Sequence, residues 1–350
     1  MPSGLVLTTP QDLPELTAFL LGVFRASPDA PIVRPDMLRW KYFDPRPDWD
    51  GPRSYLTRAA DGRISAHGCV APVSFRTAAG AVTGMRVIDW AGGRNDPGAG
   101  VRIMRALGGL ADTVLATGGS ADAMQVFPKI GFQHRGDASV FARVVRPWRQ
   151  FRSDPFPRGW KAPLRLARST LLSRTPMPAV PAGWSCRAVK TFDGQSIGPA
   201  LAFDSAGFTS TVRTAALLDY MLSCPGARFS GYVLNEGERV RGYFVLSHVA
   251  GQTRIADLRV DSERAADWQA GFALATRQAA ADPATCEILA VFAIRPAVDA
   301  LRACGYRFCR HEPIFLRDPR GRLAGAPELQ IDLLVGDESY LHVPTYPFET

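Results

Sequence analysis

The sequence predicts an α/β protein made of two tandem copies of one unit, and three observations carry that prediction. Residues 126–132 read VFPKIGF and residues 300–306 read ALRACGY, so two helix-like stretches end alike, on Gly followed by an aromatic. Each aromatic is followed nine residues later by a Phe, Phe141 and Phe315. Two strand-like runs, MRVIDWAGG and TRIADLRVD, each carry an Asp, Asp89 and Asp257, three residues after an Arg. Self-similarity of this kind is the mark of internal repetition, and 350 residues suit two cores at about 150 residues per domain.

The elements of the two copies follow in parallel. RSYLTRAADGRISAHGCVAPVSF holds two β-rich runs about an Asp-Gly turn, and FSGYVLNEGERVRGYFVLSHV holds two about a Gly-containing turn. The Asp-bearing strand comes next, then a helix at about 98–112 or 264–281, a short strand (DTVLATGG or CEILAVFAI), a second helix and the shared ending. The unit reads β-α-α-β-β-β-α-β-α-β. Its copies span 1–143 and 184–317, with a connector at 144–183 and a C-terminal extension at 318–350.

The connector is set apart by composition. Residues 143–174 contain Arg143, Arg146, Arg149, Arg152, Arg158, Lys161, Arg165, Arg168 and Arg174 against Asp154 alone, which equals the net charge of +8 of the whole chain. Prolines at 147, 155, 157, 163, 176, 178 and 181 are too close together for a long regular element. No apolar run reaches the ~18 residues of a membrane span, and the N-terminus has no basic region leading into an apolar one, so a cytoplasmic protein is expected. The six cysteines lie apart without a CxxC pair and read as reduced thiols. His134, His248, His311 and His342 have no Cys or carboxylate at ligand spacing, so no metal site is expected.

This order of elements, with the VFPKIGF ending, resembles the GCN5-related N-acetyltransferase (GNAT) superfamily over about 5–143 and, more weakly, 184–316. The resemblance implies two tandem GNAT-like domains with mixed central sheets flanked by helices. Members commonly read N-x-x-A-x-x-x-Y-x-x-x-G-F over the helix after the fifth strand, and Ser120, Ala123, Phe127, Gly131 and Phe132 stand at those offsets. The family's Tyr often protonates the departing coenzyme A thiolate, which Phe127 cannot do, and Leu301 stands there in the second copy. A second signature, Q/R-x-x-G-x-G/A, is matched by Gly98 and Gly100 in RNDPGAGVRIMRAL, with Asn95 at the first position and Arg94 one place early. Glycines there let a diphosphate approach the backbone at a helix N-terminus. The second copy has no glycine at that turn. The resemblance therefore implies acetyl-CoA or another acyl-CoA as co-substrate, held in the first copy by Ile88, Trp90, Gly98, Ala99, Gly100, Val101, Ser120 and Phe127.

Acyl transfer to an amine calls for a proton acceptor and an oxyanion donor. In the resembled fold the fourth strand supplies the donor and often a carboxylate base, which points to Asp89; pairing with Arg86 or a neighbouring strand explains the same residue as well. His67 is the second candidate acid or base, or else a satisfied polar residue of a half-buried strand. Ser120 caps a helix and is a candidate for the pantetheine arm. The aromatics of LRWKYFDPRPDW (38–49) suit a small-molecule or glycan acceptor, or plain helix packing. For the basic segment 143–174 three readings stand: an arm packed on the protein, an anionic membrane surface and, least favoured, tRNA. The reading is an acyltransferase acting from a CoA thioester on an amine, on an envelope or polysaccharide precursor, with a peripheral position at the inner face of the membrane open to it. The alternative is a catalytically inactive binding or scaffolding protein of the same fold.

Overall fold

The computed structural model describes residues 4–153, 160–342 and 347–350. The chain divides into two compact units: unit 1 comprises Met1–Gly136 and Pro313–Ala326, and unit 2 comprises Asp137–Glu312 and Pro327–Thr350. The division departs from the boundaries read along the sequence, because each unit takes in a segment from the far side of the chain.

Unit 1 runs β1 (Val6–Leu7), α1 (Leu13–Phe24), α2 (Pro35–Tyr42), β2 (Ser54–Arg58), β3 (Ile64–Pro72), β4 (Gly84–Gly92), α3 (Ala99–Leu107), β5 (Thr113–Thr117), α4 (Ala121–Val126) and the start of β6 (Gln133–Val144). Strands β1 to β4 are antiparallel neighbours, β5 is parallel to β4, and Ile314–Arg317 closes the sheet antiparallel to β5. The β2–β3 hairpin turns at Asp61-Gly62, where Gly62 takes φ 83°. One face of the sheet packs Ile103, Met104 and Leu107 of α3 with Phe127, Phe132 and Phe315; the other packs Leu16 and Leu20 of α1 with Leu38 and Tyr42 of α2.

Unit 2 holds the rest of β6, then α5 (Pro147–Ser153), α6 (Ala162–Ser173), β7 (Trp184–Val189), α7 (Gly194–Ala202), α8 (Ala215–Leu222), β8 (Arg228–Glu236), β9 (Arg239–Val249), β10 (Gln252–Val260), α9 (Ala265–Ala281), β11 (Glu287–Phe292), α10 (Arg295–Ala303) and most of β12 (Arg307–Arg317). From β7 to β12 this is the order of β1 to β6 again. Strands β7 to β10 are antiparallel, β11 is parallel to β10, and Ser139–Val144 of β6 closes the sheet against β11.

The repeated helix ending has a simple cause. Gly131 and Gly305 adopt φ 89° and 75°, the left-handed cap that stops a helix. In each, the following aromatic amide reaches back to a helix carbonyl, Phe132 N to Phe127 O at 3.1 Å and Tyr306 N to Leu301 O at 3.1 Å. The connector arginines have an equally local explanation. Buried Arg143 donates to the carbonyls of Cys304 (2.8 Å), Thr175 (2.7 Å) and Pro176 (2.8 Å). Arg146 reaches Thr285 O at 2.6 Å and Ala280 O at 2.8 Å, and Arg149 reaches Pro283 O at 2.5 Å. These three belong to an arm packed on unit 2.

Candidate functional site

The parallel pair β4–β5 is bonded only over Gly84–Arg86 and Thr113–Leu115; beyond Arg86 the ladder ends and the two strands part. At the parting, β4 bulges: Ile88 pairs with Cys69 and Ala91 with His67, so Asp89 and Trp90 face the single residue Gly68. The bulge flips the side-chain alternation. Ile88 and Ala91, three apart, pack on the α1–α2 face, while Trp90 packs on the α3 face. Asp89 makes this possible by adopting φ 50°, a conformation that Asp tolerates better than most residues.

Asp89 does not stand free at the parting. Its Oδ2 accepts from Lys41 Nζ at 2.5 Å and Tyr42 Oη at 2.7 Å, and the Lys41 and Asp89 side chains are 1% and 0% exposed. Both partners come from α2, while Arg86 Nη2 reaches the Thr117 carbonyl at 3.2 Å. Asp89, expected as a proton acceptor, is thus held in the core through Oδ2. Its Oδ2 is taken by an ammonium and a phenol in the core, which tie the bulge to α2, while its Oδ1, also buried, has no hydrogen-bond partner. His67, the second candidate acid or base, is enclosed as well. It is fully buried, with Nδ1 at 3.1 Å from the Asp89 carbonyl and Nε2 at 2.9 Å from Ser54 Oγ, which in turn lies 2.8 Å from Thr8 Oγ1. Burial pushes its pKa down to about 4. A carbonyl only accepts, so the neutral ring carries its proton on Nδ1 and turns Nε2 toward the Ser54 hydroxyl.

The loop from β4 into α3 is open by contrast. Gly98 takes φ 84° at the N-cap, and no side chain caps the first turn. The Ala99 amide is bonded to Asp96 O at 3.1 Å and its side chain is buried. A Cβ on Gly100 would lie in ordinary contact, 3.4 Å from Gly92 Cα and 3.5 Å from Trp90 Nε1, whereas one on Gly92 would press on Gly100 N at 3.0 Å and Cα at 3.1 Å, so Gly92 is the glycine that lets α3 rest on β4. Asp96 is bridged by Arg102 through both oxygens at 2.6 Å, and that guanidinium holds its carboxyl below the usual range. A cleft of about 650 Å³ runs beside this loop, lined by Phe19, Arg63, Gly93, Arg94 and Asn95. A second, of about 620 Å³, is lined by Thr8, Tyr42, Trp49, Asp50, Arg53 and Ser54.

Trp90 donates to Gly100 O at 2.7 Å and stacks on Phe127 at 5.8 Å, and Phe127 packs on Phe132 and Phe315. Phe127 is therefore an aromatic wall beneath the parted strands, only 4% exposed. Ser120 caps α4, its Oγ accepting from Ala123 N at 3.2 Å.

Unit 2 repeats the plan and then fills it. Its β10–β11 ladder ends at Ile255 and Ala290. Past that point Ala293 N donates to Ile331 O at 3.2 Å, and the turn Leu333–Val335, buried, packs on both strands. Asp257, the counterpart of Asp89, accepts from Arg213 Nε and Tyr243 Oη, each at 3.0 Å, and Arg213 Nη2 also reaches Asp332 Oδ1 at 3.1 Å. Burial, with Asp257 nearby, pushes Asp332 up to about 7. In both units the fourth-strand Asp accepts from one cation and one tyrosine, and Asp257 has a second cation, Arg259, whose Nε lies 3.8 Å from its Oδ1. The sequence showed the two aspartates but hid Lys41 and Arg213, which lie 48 and 44 positions away. A lysine among Met37, Leu38, Trp40 and Tyr42 was the available signal, since lysine is rarely buried unpaired. No cluster of three or more metal-ligating side chains occurs among the described residues.

No protein-family model matches the sequence, and neither does any curated protein. Solved structures do match in fold. Saccharomyces cerevisiae N-myristoyltransferase with bound myristoyl-CoA has a TM-score of 0.59 at 14% identity, over 91% of this chain and 83% of that one. A tandem GNAT protein from the clavulanic acid biosynthesis pathway gives 0.55 at 14% identity, over 89% and 97%. A probable N-acyltransferase of Enterococcus faecalis V583 gives 0.56 at 12% identity, over 89% and 71%.

Proposed function

On the tandem GNAT fold that this chain has, we propose that unit 1 binds an acyl-coenzyme A thioester and passes its acyl group to an amine. One observation carries the reading: the β4 bulge, the parted β4–β5 pair and the uncapped Gly98–Val101 turn meet in unit 1, whereas in unit 2 the chain's own Ile331–Val335 segment occupies the parting. The diphosphate would lie on the Gly100 and Val101 amides with Arg94 alongside, the pantetheine arm would enter past Trp90, and Phe127 would wall the thioester. A bulge frees an amide from the ladder, which is what the oxyanion requires. The cleft of Tyr42, Trp49 and Asp50, with aromatic faces and a carboxylate, is the acceptor site in this reading and suits an amino sugar of an envelope or glycan precursor.

The amine nitrogen attacks the thioester carbon, the C–N bond forms, and the C–S bond breaks to release the thiolate. With Asp89 and His67 occupied and Phe127 without a hydroxyl, water takes the ammonium proton and supplies the thiolate's. The rate should then follow the deprotonated fraction of the acceptor amine, with no inflection near the His67 pKa of about 4. The same two occupied groups favour a second reading, a binding protein without turnover. Calorimetry with acetyl-CoA and CoA, beside thiol release with a panel of amines, separates them: turnover supports the first, binding alone the second. Gly100→Asp, which sets a carboxylate at the diphosphate, should abolish binding, and the exposed-site variant Arg94→Glu should weaken it about tenfold, or ~1.4 kcal/mol. Undiminished affinity in both would move the site elsewhere.

A further inference from the structure

Helix α6 turns two leucines outward. Its buried residues are Ala162 and Ser169, seven apart on one line of the helix. On the opposite line, also seven apart, Leu164 and Leu171 are 62% and 66% exposed, with exposed Arg168 between them and Trp160, 79% exposed, one turn before Leu164. Leu166 and Leu172 are half-buried, so the helix packs on the protein through part of its apolar set and leaves two leucines on the far line, where a helix on a soluble surface carries polar residues. The packed neighbour α5 adds Trp148, 54% exposed, stacked on Phe151. Cations flank these rings: Arg152 lies over Trp148 at 5.1 Å and Lys161 over Trp160 at 5.3 Å. Residues 160–174 carry Lys161, Arg165, Arg168 and Arg174 and no acidic side chain.

We propose that α5 and α6 form a docking surface for an anionic lipid bilayer. Tryptophan rings settle at the headgroup level, leucines enter the acyl boundary, and Lys or Arg beside them meets lipid phosphate. The occupant follows from charge and apolarity together. Nucleic acid would leave Leu164 and Leu171 without a partner, and a second copy of this face would set its cations against their own kind. The mode is surface docking, since no helix among the described residues is long and apolar enough to cross a membrane. The arginines packed on carbonyls, Arg143, Arg146 and Arg149, hold the surface to unit 2 and take no part in binding.

Flotation of the full chain tests this with vesicles of phosphatidylcholine and phosphatidylglycerol beside vesicles of phosphatidylcholine alone. The protein should float with the first, stay behind with the second and come off as salt rises. The triple variant Trp160→Ser, Leu164→Ser, Leu171→Ser should lose flotation at an unchanged melting temperature, since all three side chains are exposed. The pair Lys161→Glu, Arg168→Glu should weaken it about tenfold or more. Failure of the wild type to float overturns the proposal, as does unchanged flotation of the triple variant. So does an RNA gel shift lost in the charge pair while flotation is absent, or a dimer in solution that the triple variant dissociates.

Discussion

Lys41 and Asp89 form an ion pair with almost no access to water, and breaking one side strands a charge. Lys41→Met should therefore destabilise unit 1 by about 3 kcal/mol in urea unfolding. Asp89→Asn added to it should recover much of that loss, because Asn tolerates the positive φ and leaves no charge behind. His67 makes a separate, pH-dependent contribution. Its pKa is about 4 folded against an ordinary 6.5, so between those values the unfolded chain binds the extra proton and stability falls as pH falls. His67→Gln should flatten that acid limb, seen as a smaller drop in stability between about pH 6.5 and 4. At this scale the sequence was half legible. Asp89, Gly98 and Gly100 stand where their motifs put them, but nothing local to Asp89 names Lys41, because only the fold brings α2 against β4.

At the scale of elements, the order of strands and helices was readable because each depends on local signals: an Asp-Gly turn between two β-rich runs and a left-handed glycine cap. The bulge was not, since it shows only as two residues opposing one across a strand pair. Nor was the filling of unit 2's parting, which depends on residues some forty positions beyond β11. Ser120 tests where an element's role ends. As the cap of α4, Ser120→Ala should cost about 1 kcal/mol in thermal unfolding and leave acetyl-CoA affinity unchanged. A loss of affinity without a loss of stability would instead give the hydroxyl a place on the pantetheine arm.

For the whole molecule, the exchange of closing strands decides what can be cut. A fragment ending at residue 143 lacks Ile314–Arg317 and leaves β5 held only by its short ladder to β4. Its β5 amides should lose hydrogen-exchange protection, and a synthetic 313–326 peptide should restore it.

The same exchange sets a clock. A ribosome has finished β5 long before it reaches Ile314, so the first sheet waits with one edge bare while the second unit is made. At typical elongation rates that wait is roughly ten to forty seconds. During it Val114–Thr117, an apolar strand rim, is open to any passing strand. Folding of the nascent chain therefore ends near where synthesis ends, and growth temperature or translation speed, more than the stability of the finished protein, should govern how much of it survives.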